Sequence, residues 1–515
     1  MTSRSIYMVA SENGALPGAK AGGVGDVLRD LPRALAARGH ELTVVIPSYG
    51  HLHTLPGMQL QGSFETLFSG ELIAVRWFAM MDEQGVRHIV LDHPGFDPFG
   101  SGQVYCDDGP DRPFATDANK YALLCAAAGQ WLLRHAPPDA LIHLHDWHAA
   151  PLLVLREYDE RYARLKAHRC VLTLHNLALQ GIRPIEGDAS SFMSWFAHLR
   201  HALPALGDPR YPDVVNPIAA GIRLADALNT VSPTNAREIL IANDPARGFR
   251  GGEGLELLLQ QADDSARLYG ILNGCDYDGD FSTLDWRALR RIAVATLSDW
   301  LTQQPQYQGV HQLALDALNR FDSNPDIVVT SVGRITDQKV GLLLHRNEQG
   351  QTTLDQLLHT LPDRGVLLML GSGDRQMEQQ LVEHARRDPR FVFLRGFSEK
   401  LADSIFRGGN LFLMPSTFEP CGISQMLAMR AGQPCLVHSV GGLNDTITHL
   451  RNGFAFTGCS TTQQSLRCIS ALQLAQRMYF DEPTYWARIT RAAAAERFEW
   501  QHSAAHYERQ LYAFD

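Results

Sequence analysis

The stretch over residues 410–446 sets one acid and two glycine turns at the ends of apolar runs. An apolar strand is expected over 411–414. The polar loop Pro415-Ser416-Thr417-Phe418-Glu419-Pro420-Cys421-Gly422 follows, and then a helix over 423–431 that Gly432 and Pro434 are suited to end. A second strand over 435–440 runs into Gly441-Gly442-Leu443. Open α/β sheets take their ligands at such C-terminal strand ends, where a carboxylate can hold hydroxyls and helix N–H groups can meet an anion. Upstream, an apolar strand over 326–332 delivers Arg334 and Lys339, five residues apart, into one loop. Exposed loop cations are ordinarily solvated and contribute little to stability. This chain carries a formal net charge of −10, however, so an anionic substrate would need cations placed locally.

The N-terminal half repeats the pattern. A strand over 6–10 leads into a glycine-rich loop containing Lys20, Gly22, Gly23, Gly25 and Asp26, then a helix to about residue 38 and a strand over 42–47. Such a loop serves either helix–strand packing or close approach of the backbone to a ligand. The strand near 141–144 ends in His143, His145, Asp146, Trp147 and His148. Strand alternation places His143 and His145 on one face, which suits a metal, yet no partner cluster with ligand spacing occurs elsewhere. Packing and hydrogen bonding at a strand end is the other reading. A strand over 170–174 ends in His175 and Asn176, and the segment over 269–276 holds Asn273, whose amide can both donate to and accept from a neutral hydroxyl.

The elements that must position these residues alternate between strand and helix in both halves. That alternation predicts α/β architecture with two doubly wound, Rossmann-like domains facing across a cleft. The expected division is an N-terminal domain over 1–280, a linker over 281–325, a C-terminal domain over 326–490, and a last helix over 491–515 crossing back to the first domain. A hairpin is expected from strands over 71–81 and 85–91, a helix over 119–135, and a flap over 187–215. Composition is that of a globular protein, 45% hydrophobic and 20% charged. The acidic balance and the lack of a Lys/Arg block argue against nucleic acid, and no run approaches the ~18 apolar residues that suit a membrane span. Eight cysteines without a C-x-x-C pair read as reduced thiols, and a cytoplasmic location is expected.

Phe-Glu-Pro-Cys-Gly-x-x-Gln followed by Gly-Gly-Leu-x-Asp-Thr resembles the donor site of bacterial glycogen synthases and plant starch synthases. These are retaining glucosyltransferases of the two-domain GT-B architecture. The other family motifs occur in order. Lys20, Gly22, Gly23, Asp26 and Val27 match Lys-x-Gly-Gly-Leu-x-Asp-Val, with Ala21 where Thr is commonest and Val24 for Leu. Residues 143–148 match His-x-His-Asp-Trp-His, 173–181 match Thr-x-His-Asn-x-x-x-Gln-Gly, and 271–276 match Ile-x-Asn-Gly-x-Asp. Arg334 and Lys339 match Ser-Arg-Leu-x-x-Gln-Lys-Gly, with Val340 in place of the glycine, and Gly371 and Gly373 match a Gly-x-Gly turn. The family's Asn-Lys and Leu-Gln pairs are not found at 303–320.

The resemblance implies transfer of glucose from ADP-glucose to the non-reducing end of an α-1,4-glucan, glycogen or a maltooligosaccharide. Retention of configuration is implied, with no metal and no cofactor. It implies catalytic roles for Glu419, Lys339, Arg334, His175 and Asp146: Arg334 and Lys339 grip the diphosphate, and His175 meets the transferred glucose. Substrate contacts are implied for Lys20, Gly22, Gly23, Asp26, Trp147, Asn176, Asn273, Gly422, Ser424, Gly441, Gly442 and Thr446. Asp146 and Trp147 are expected to face the sugar cleft. No second carboxylate stands out as a covalent nucleophile, so a front-side displacement is expected. Two other readings compete: a related GT-B enzyme with another sugar nucleotide or a small acceptor, and a weakly active glucan-binding homologue.

Overall fold

A computed structural model describes residues 3–109 and 111–514, so the outermost ends of the expected 1–280 and 491–515 ranges lie outside the described residues. The chain forms two compact units. Unit 1 comprises Met1–Ala242, Gly251–Asp276 and Glu499–Asp515, and unit 2 comprises Asn243–Arg250 and Tyr277–Phe498. No helix among the described residues is long and apolar enough to cross a membrane.

Unit 1 is built on a nine-stranded sheet. In spatial order its strands are Leu268–Gly270, Ala227–Thr230, Cys170–Leu174, Leu141–His145, Ser5–Val9, Glu41–Pro47, Val86–Asp92, Glu71–Met81 and Gln59–Phe68. The first seven pair in parallel, and the last two add on antiparallel at one edge. The expected hairpin is present, and Gln59–Phe68, which the sequence reading did not identify, extends it. Strand order reverses at Ser5–Val9, which lies between Glu41–Pro47 and Leu141–His145. Ligands of open α/β sheets bind at such a reversal. The glycine loop and the histidine cluster therefore leave the C-terminal ends of two adjacent strands, and His175 leaves a third.

Unit 2 carries a six-stranded, all-parallel sheet in the order Phe391–Arg395, Gly365–Gly371, Ile327–Val332, Leu411–Met414, Cys435–His438 and Gly453–Phe456. Its strands read as continuous apolar runs because both faces are covered. Val328, Leu368, Val392, Phe412 and Val437 pack into one core layer, while Ile327, Leu367, Phe391, Leu411 and Leu436 pack into another. Here the reversal falls at Ile327–Val332, so the Arg334 loop, the acid loop and the Gly441-Gly442 turn leave three neighbouring strands.

Residues 281–325, expected as a linker, hold helices Trp286–Gln303 and Gln308–Arg320. Trp286, Leu289, Ala293, Leu297 and Trp300 recur at helical spacing and enter one of the unit 2 core layers. The segment expected as a flap buries Phe192, Trp195 and Phe196 in the core of unit 1. At the C-terminus, helix Pro483–Ala495 belongs to unit 2. Trp500, Tyr507, Leu511 and Tyr512 join the unit 1 core, where Arg38 and His40 both bond the buried Glu508 carboxylate.

Candidate active site

In unit 2 the Arg334 loop and the acid loop are tied by one backbone bond and one side-chain bond to backbone. The Thr417 N–H donates to the Gln338 carbonyl at 2.9 Å, and Gln338 Nε2 donates to the Phe418 carbonyl at 2.7 Å. With both loops so held, Lys339 Nζ donates to Glu419 Oε2 in an ion pair, and the acid side chain is only 8% exposed. Arg334 is exposed and has no ion-pair partner among the described residues. Its loop is fixed from the other side, because the Ile335 N–H donates to the Ser372 carbonyl at 2.9 Å and the Asp374 N–H to the Ile335 carbonyl at 2.8 Å. Val340, which stands where the family has glycine, is buried in the core layer with Ile335 and Leu343.

Gly441 and Gly442 press against the acid loop. The Gly442 N–H donates to the Glu419 carbonyl at 3.1 Å. A Cβ on Gly441, whose φ is +45°, would stand 1.8 Å from that oxygen, and one on Gly442 would stand 2.2 Å from the Cys421 carbonyl oxygen. Packing therefore accounts for both glycines, which hold the acid in place through its main chain. Thr446 turns inward and donates to the Gly442 carbonyl at 2.8 Å. Gly422 takes a left-handed conformation, and Ser424, half-buried, opens helix Ser424–Arg430. Gln425 is a residue that sequence reasoning left out of the site. Fully buried, it donates to the Cys421 and Gly422 carbonyls at 3.2 and 3.0 Å and so closes the loop. Its signal was its place at the end of the Phe-Glu-Pro-Cys-Gly-x-x-Gln run.

In unit 1 the glycine loop is filled by a side chain that sequence reasoning passed over. Glu12 Oε2 accepts from the N–H groups of Ala21 (2.8 Å), Gly22 (2.6 Å) and Gly25 (3.3 Å), and its Oε1 accepts from the Tyr105 hydroxyl at 2.8 Å. Three of the amides around the start of helix Gly23–Ala37, where an anionic ligand was expected, are thus committed to the chain's own carboxylate. Lys20 pairs with Asp26 at 2.7 Å. The loop's glycines differ in their reason for being there. A Cβ on Gly25 would meet Lys20 Cγ at 2.8 Å, whereas one on Gly23 would meet nothing within 4 Å. Internal packing explains Gly25 and leaves the bare backbone at Gly23 to be explained by what approaches it.

Asp146 sits at φ +56°, a left-handed conformation that costs an acid on the order of 1 kcal/mol. That turn aims the carboxylate at the next strand, where Oδ1 accepts from the His175 N–H at 2.7 Å. Burial pushes the Asp146 carboxyl up to about 7, against the pull of the His175 and Asn176 backbone donors. An acid whose folded pKa is raised favours the fold below its unfolded value, and that contribution is lost as pH rises through the folded value. Asn keeps an acceptor and tolerates the left-handed backbone. Asp146→Asn should therefore be more stable than the native protein at pH 8, by up to about 4 kcal/mol and with a higher Tm, the gap narrowing as pH is lowered toward 4. Thermal unfolding of the two proteins across that range checks it, and a gap independent of pH would contradict it.

The histidines turn their rings toward protein partners. His143 bonds the Tyr512 hydroxyl through Nδ1 at 3.0 Å and the Thr173 hydroxyl through Nε2 at 2.7 Å. His145 Nδ1 lies 3.0 Å from His175 Nε2. Burial holds His143 and His175 neutral, pushing both down to about 3, and pushes His145 down as well. Among the described residues no group of His, Cys, Asp or Glu is arranged to hold a metal ion. Trp147 is 4% exposed, its ring packed on His148 and Tyr121. Asn176 is half-buried and caps the Ala178 N–H at 3.0 Å. Asn273 is buried, and its Oδ1 has no hydrogen-bond partner among the described residues, an open acceptor of the kind that calls for a ligand.

Residues 5–261 match the family described as "Starch synthase catalytic domain", and residues 328–472 match "Glycosyl transferases group 1". The chain is 33% identical over 531 residues to a glycogen synthase of Anaeromyxobacter sp. (strain Fw109-5), covering 98% of each. It is 32% identical over 516 residues to glycogen synthase 2 of Geobacter metallireducens, covering 98% of this chain and 97% of that one. Among solved structures, it is similar to the catalytic domain of starch synthase IV from Arabidopsis thaliana, bound to ADP and acarbose. The TM-score is 0.78 at 24% identity, over 100% of this chain and 99% of that one. A sucrose-phosphate synthase from Thermosynechococcus elongatus matches with a TM-score of 0.57 at 17% identity, over 99% of this chain and 100% of that one. At these identities the structural likenesses establish the fold, which is GT-B.

Proposed function

Since the chain belongs to the glycogen synthase family of glucosyltransferases, we propose that it transfers glucose from ADP-glucose to the non-reducing end of an α-1,4-glucan with retention of configuration. The observation that carries this reading is the Lys339–Glu419 ion pair, fixed by backbone tethers at two neighbouring strand ends beside the exposed Arg334. A sugar leaving a diphosphate builds negative charge on the leaving oxygen and positive charge on the ring. Arg334 and Lys339 supply the first with cations that an acidic chain offers nowhere in general, and Glu419 meets hydroxyls of the second. Arg334 suits the diphosphate because its planar fork can bind two oxygens at once. His175 and Asn273 are neutral hydrogen-bonding groups suited to sugar hydroxyls. Asp146 holds the backbone of His175. Displacement on the same face as the departing group accounts for retention without a covalent nucleophile.

Two expected results follow from these assignments. Gly23→Ala introduces a methyl group into open space at the first helical residue, so it should leave Tm unchanged or slightly raised. Its KM for ADP-glucose should nonetheless rise several-fold, because the proposed reading has the donor approach this bare backbone. An unchanged KM would assign Gly23 to loop formation alone. Second, turnover should persist in excess EDTA, because both His143 nitrogens and one of His145 are occupied by protein groups. Loss of turnover restored by one divalent ion would overturn the cation roles given to Arg334 and Lys339.

Transfer of radiolabelled glucose, compared across ADP-glucose and UDP-glucose and across glycogen, maltooligosaccharides and small alcohols, tests the reading as a whole. Label should enter glucan from ADP-glucose. Label entering only a small acceptor, or coming only from another nucleotide sugar, would point to a different GT-B reaction.

A further inference from the structure

His145 contributes to no step described so far, yet it is completely buried and touches His175. Its Nδ1 lies 3.0 Å from His175 Nε2, and its own Nε2 is sealed from solvent without a partner among the described residues. One proton lies between the two rings, and two arrangements are possible. If His175 Nε2 carries it, the neutral His145 must carry its own proton on Nε2, leaving a buried N–H donor with nothing to meet. If His145 Nδ1 carries it, only a lone pair is left unpaired. Orphaned buried N–H groups are among the rarest features of folded proteins, while under-satisfied acceptors are tolerated more often. The second arrangement is therefore favoured. It makes His175 Nε2 an acceptor and leaves the His175 proton on Nδ1.

We propose that His145 is a positioning residue that fixes the tautomer of His175, so that His175 presents an Nδ1–H donor to a hydroxyl of the transferred sugar. The inference rests on the reading of His175 as a sugar contact. His175 keeps 9% exposure, and its Nδ1 has no partner among the described residues, so that edge is the one a ligand can reach. The relay is held rigid from behind. The His143 ring stacks on His145 with centroids 4.1 Å apart, and it is itself pinned by Tyr512 and Thr173. The His175 backbone is pinned by Asp146. The His145 and His175 ring centroids are 5.3 Å apart with the planes at 28°, an arrangement compatible with a hydrogen bond lying near the plane of both rings.

Asn and Phe separate positioning from space-filling, because an asparagine amide N–H stands near where the histidine Nδ1–H does and phenylalanine has no donor. The full-length protein is labelled with ¹⁵N-histidine, and His175 is assigned from the resonance lost in His175→Asn. The native His175 should show a protonated Nδ1 and an unprotonated Nε2. His145→Phe should shift His175 toward the Nε2–H form and lower kcat by about 10-fold to 10²-fold with little change in the ADP-glucose KM, while His145→Asn should restore most of both. A native His175 carrying its proton on Nε2, or an Asn variant no better than Phe, overturns the proposal. A tautomer that shifts in His145→Phe while kcat stays native would leave His145 as the tautomer's determinant and overturn instead the reading of His175 as a sugar contact. The spectrum of the native protein decides the tautomer even if no transfer is detected.

Discussion

A Glu419→Ala protein is expected to bind ADP almost as the native protein does and to turn over ADP-glucose at least about 10²-fold more slowly. The reasoning separates the loop from its side chain. Bonds to main-chain carbonyls shape the loop: the Gly442 N–H donates to that of Glu419, the Gln338 side chain to that of Phe418, and the Gln425 side chain to those of Cys421 and Gly422. None of these needs the carboxylate, so truncation removes the acid while the strand-end geometry persists. On the proposed reading, what is lost is the group that meets the sugar as its ring gains positive charge, an interaction stronger in the transition state than in the bound donor. The loss should therefore appear in kcat, with the inhibition constant of ADP changed no more than a few-fold. Glu419→Gln, which keeps the shape and a hydrogen-bonding end, should recover part of the rate and so divide the effect between charge and contact. Near-native turnover in Glu419→Ala would show that the acid serves only to hold Lys339.

Lys339→Ala should lower kcat and kcat/KM together, by roughly 10-fold to 10³-fold. Charge on the leaving diphosphate oxygen grows as the glycosidic bond breaks, so an ammonium there is worth more at the transition state than before it. The structure adds a condition that the separate residues did not suggest. Lys339 and Glu419 are in contact, so removing either leaves the other without its partner. Residues that act as a unit lose less together than the sum of their single losses. The double variant Lys339→Ala, Glu419→Ala is accordingly expected to be scarcely slower than the worse of the two single variants. Arg334→Lys should be impaired as well, because an ammonium cannot reproduce a two-point contact with phosphate. A Lys339→Ala enzyme altered only in KM would confine the lysine to donor binding, and strictly additive losses would mean that the pair does not work as one.

The central parallel strands were legible because burial on two faces writes them as unbroken apolar runs, as at Leu411–Met414 and Cys435–His438, whereas the parallel edge strands Leu268–Gly270 and Gly453–Phe456 were not identified. The family motifs then placed their loops at strand ends. Edge elements were harder to read. Gln59–Phe68 exposes most of its N-terminal half and lacks a clean alternation. The helices of 281–325 do carry a helical apolar spacing from Trp286 to Trp300, but the absence of the family's motifs there obscured it. Within the site, what sequence could not supply was partnership. Lys339 and Glu419 stand 80 residues apart, and only the parallel order of their strands brings them together. Glu12 is a lone acid whose partners are backbone amides of a loop further on and the Tyr105 hydroxyl, and Gln425 bonds two carbonyls and the Thr446 hydroxyl. Apart from the place of Gln425 at the end of its motif, such contacts leave no pattern of residue types to find. The same holds for the left-handed turn at Asp146, which orients the acid through backbone geometry alone.

The most direct measurement is the fate of a maltooligosaccharide of defined length incubated with the native protein and ADP-glucose in EDTA, followed by mass spectrometry and proton NMR of the anomeric region. The expected result is chains lengthened one glucose at a time, with each new linkage giving the α-1,4 anomeric signal and one ADP released per glucose added. Release of ADP with free glucose and no chain growth, or a new linkage of β configuration, would contradict retaining transfer to a glucan.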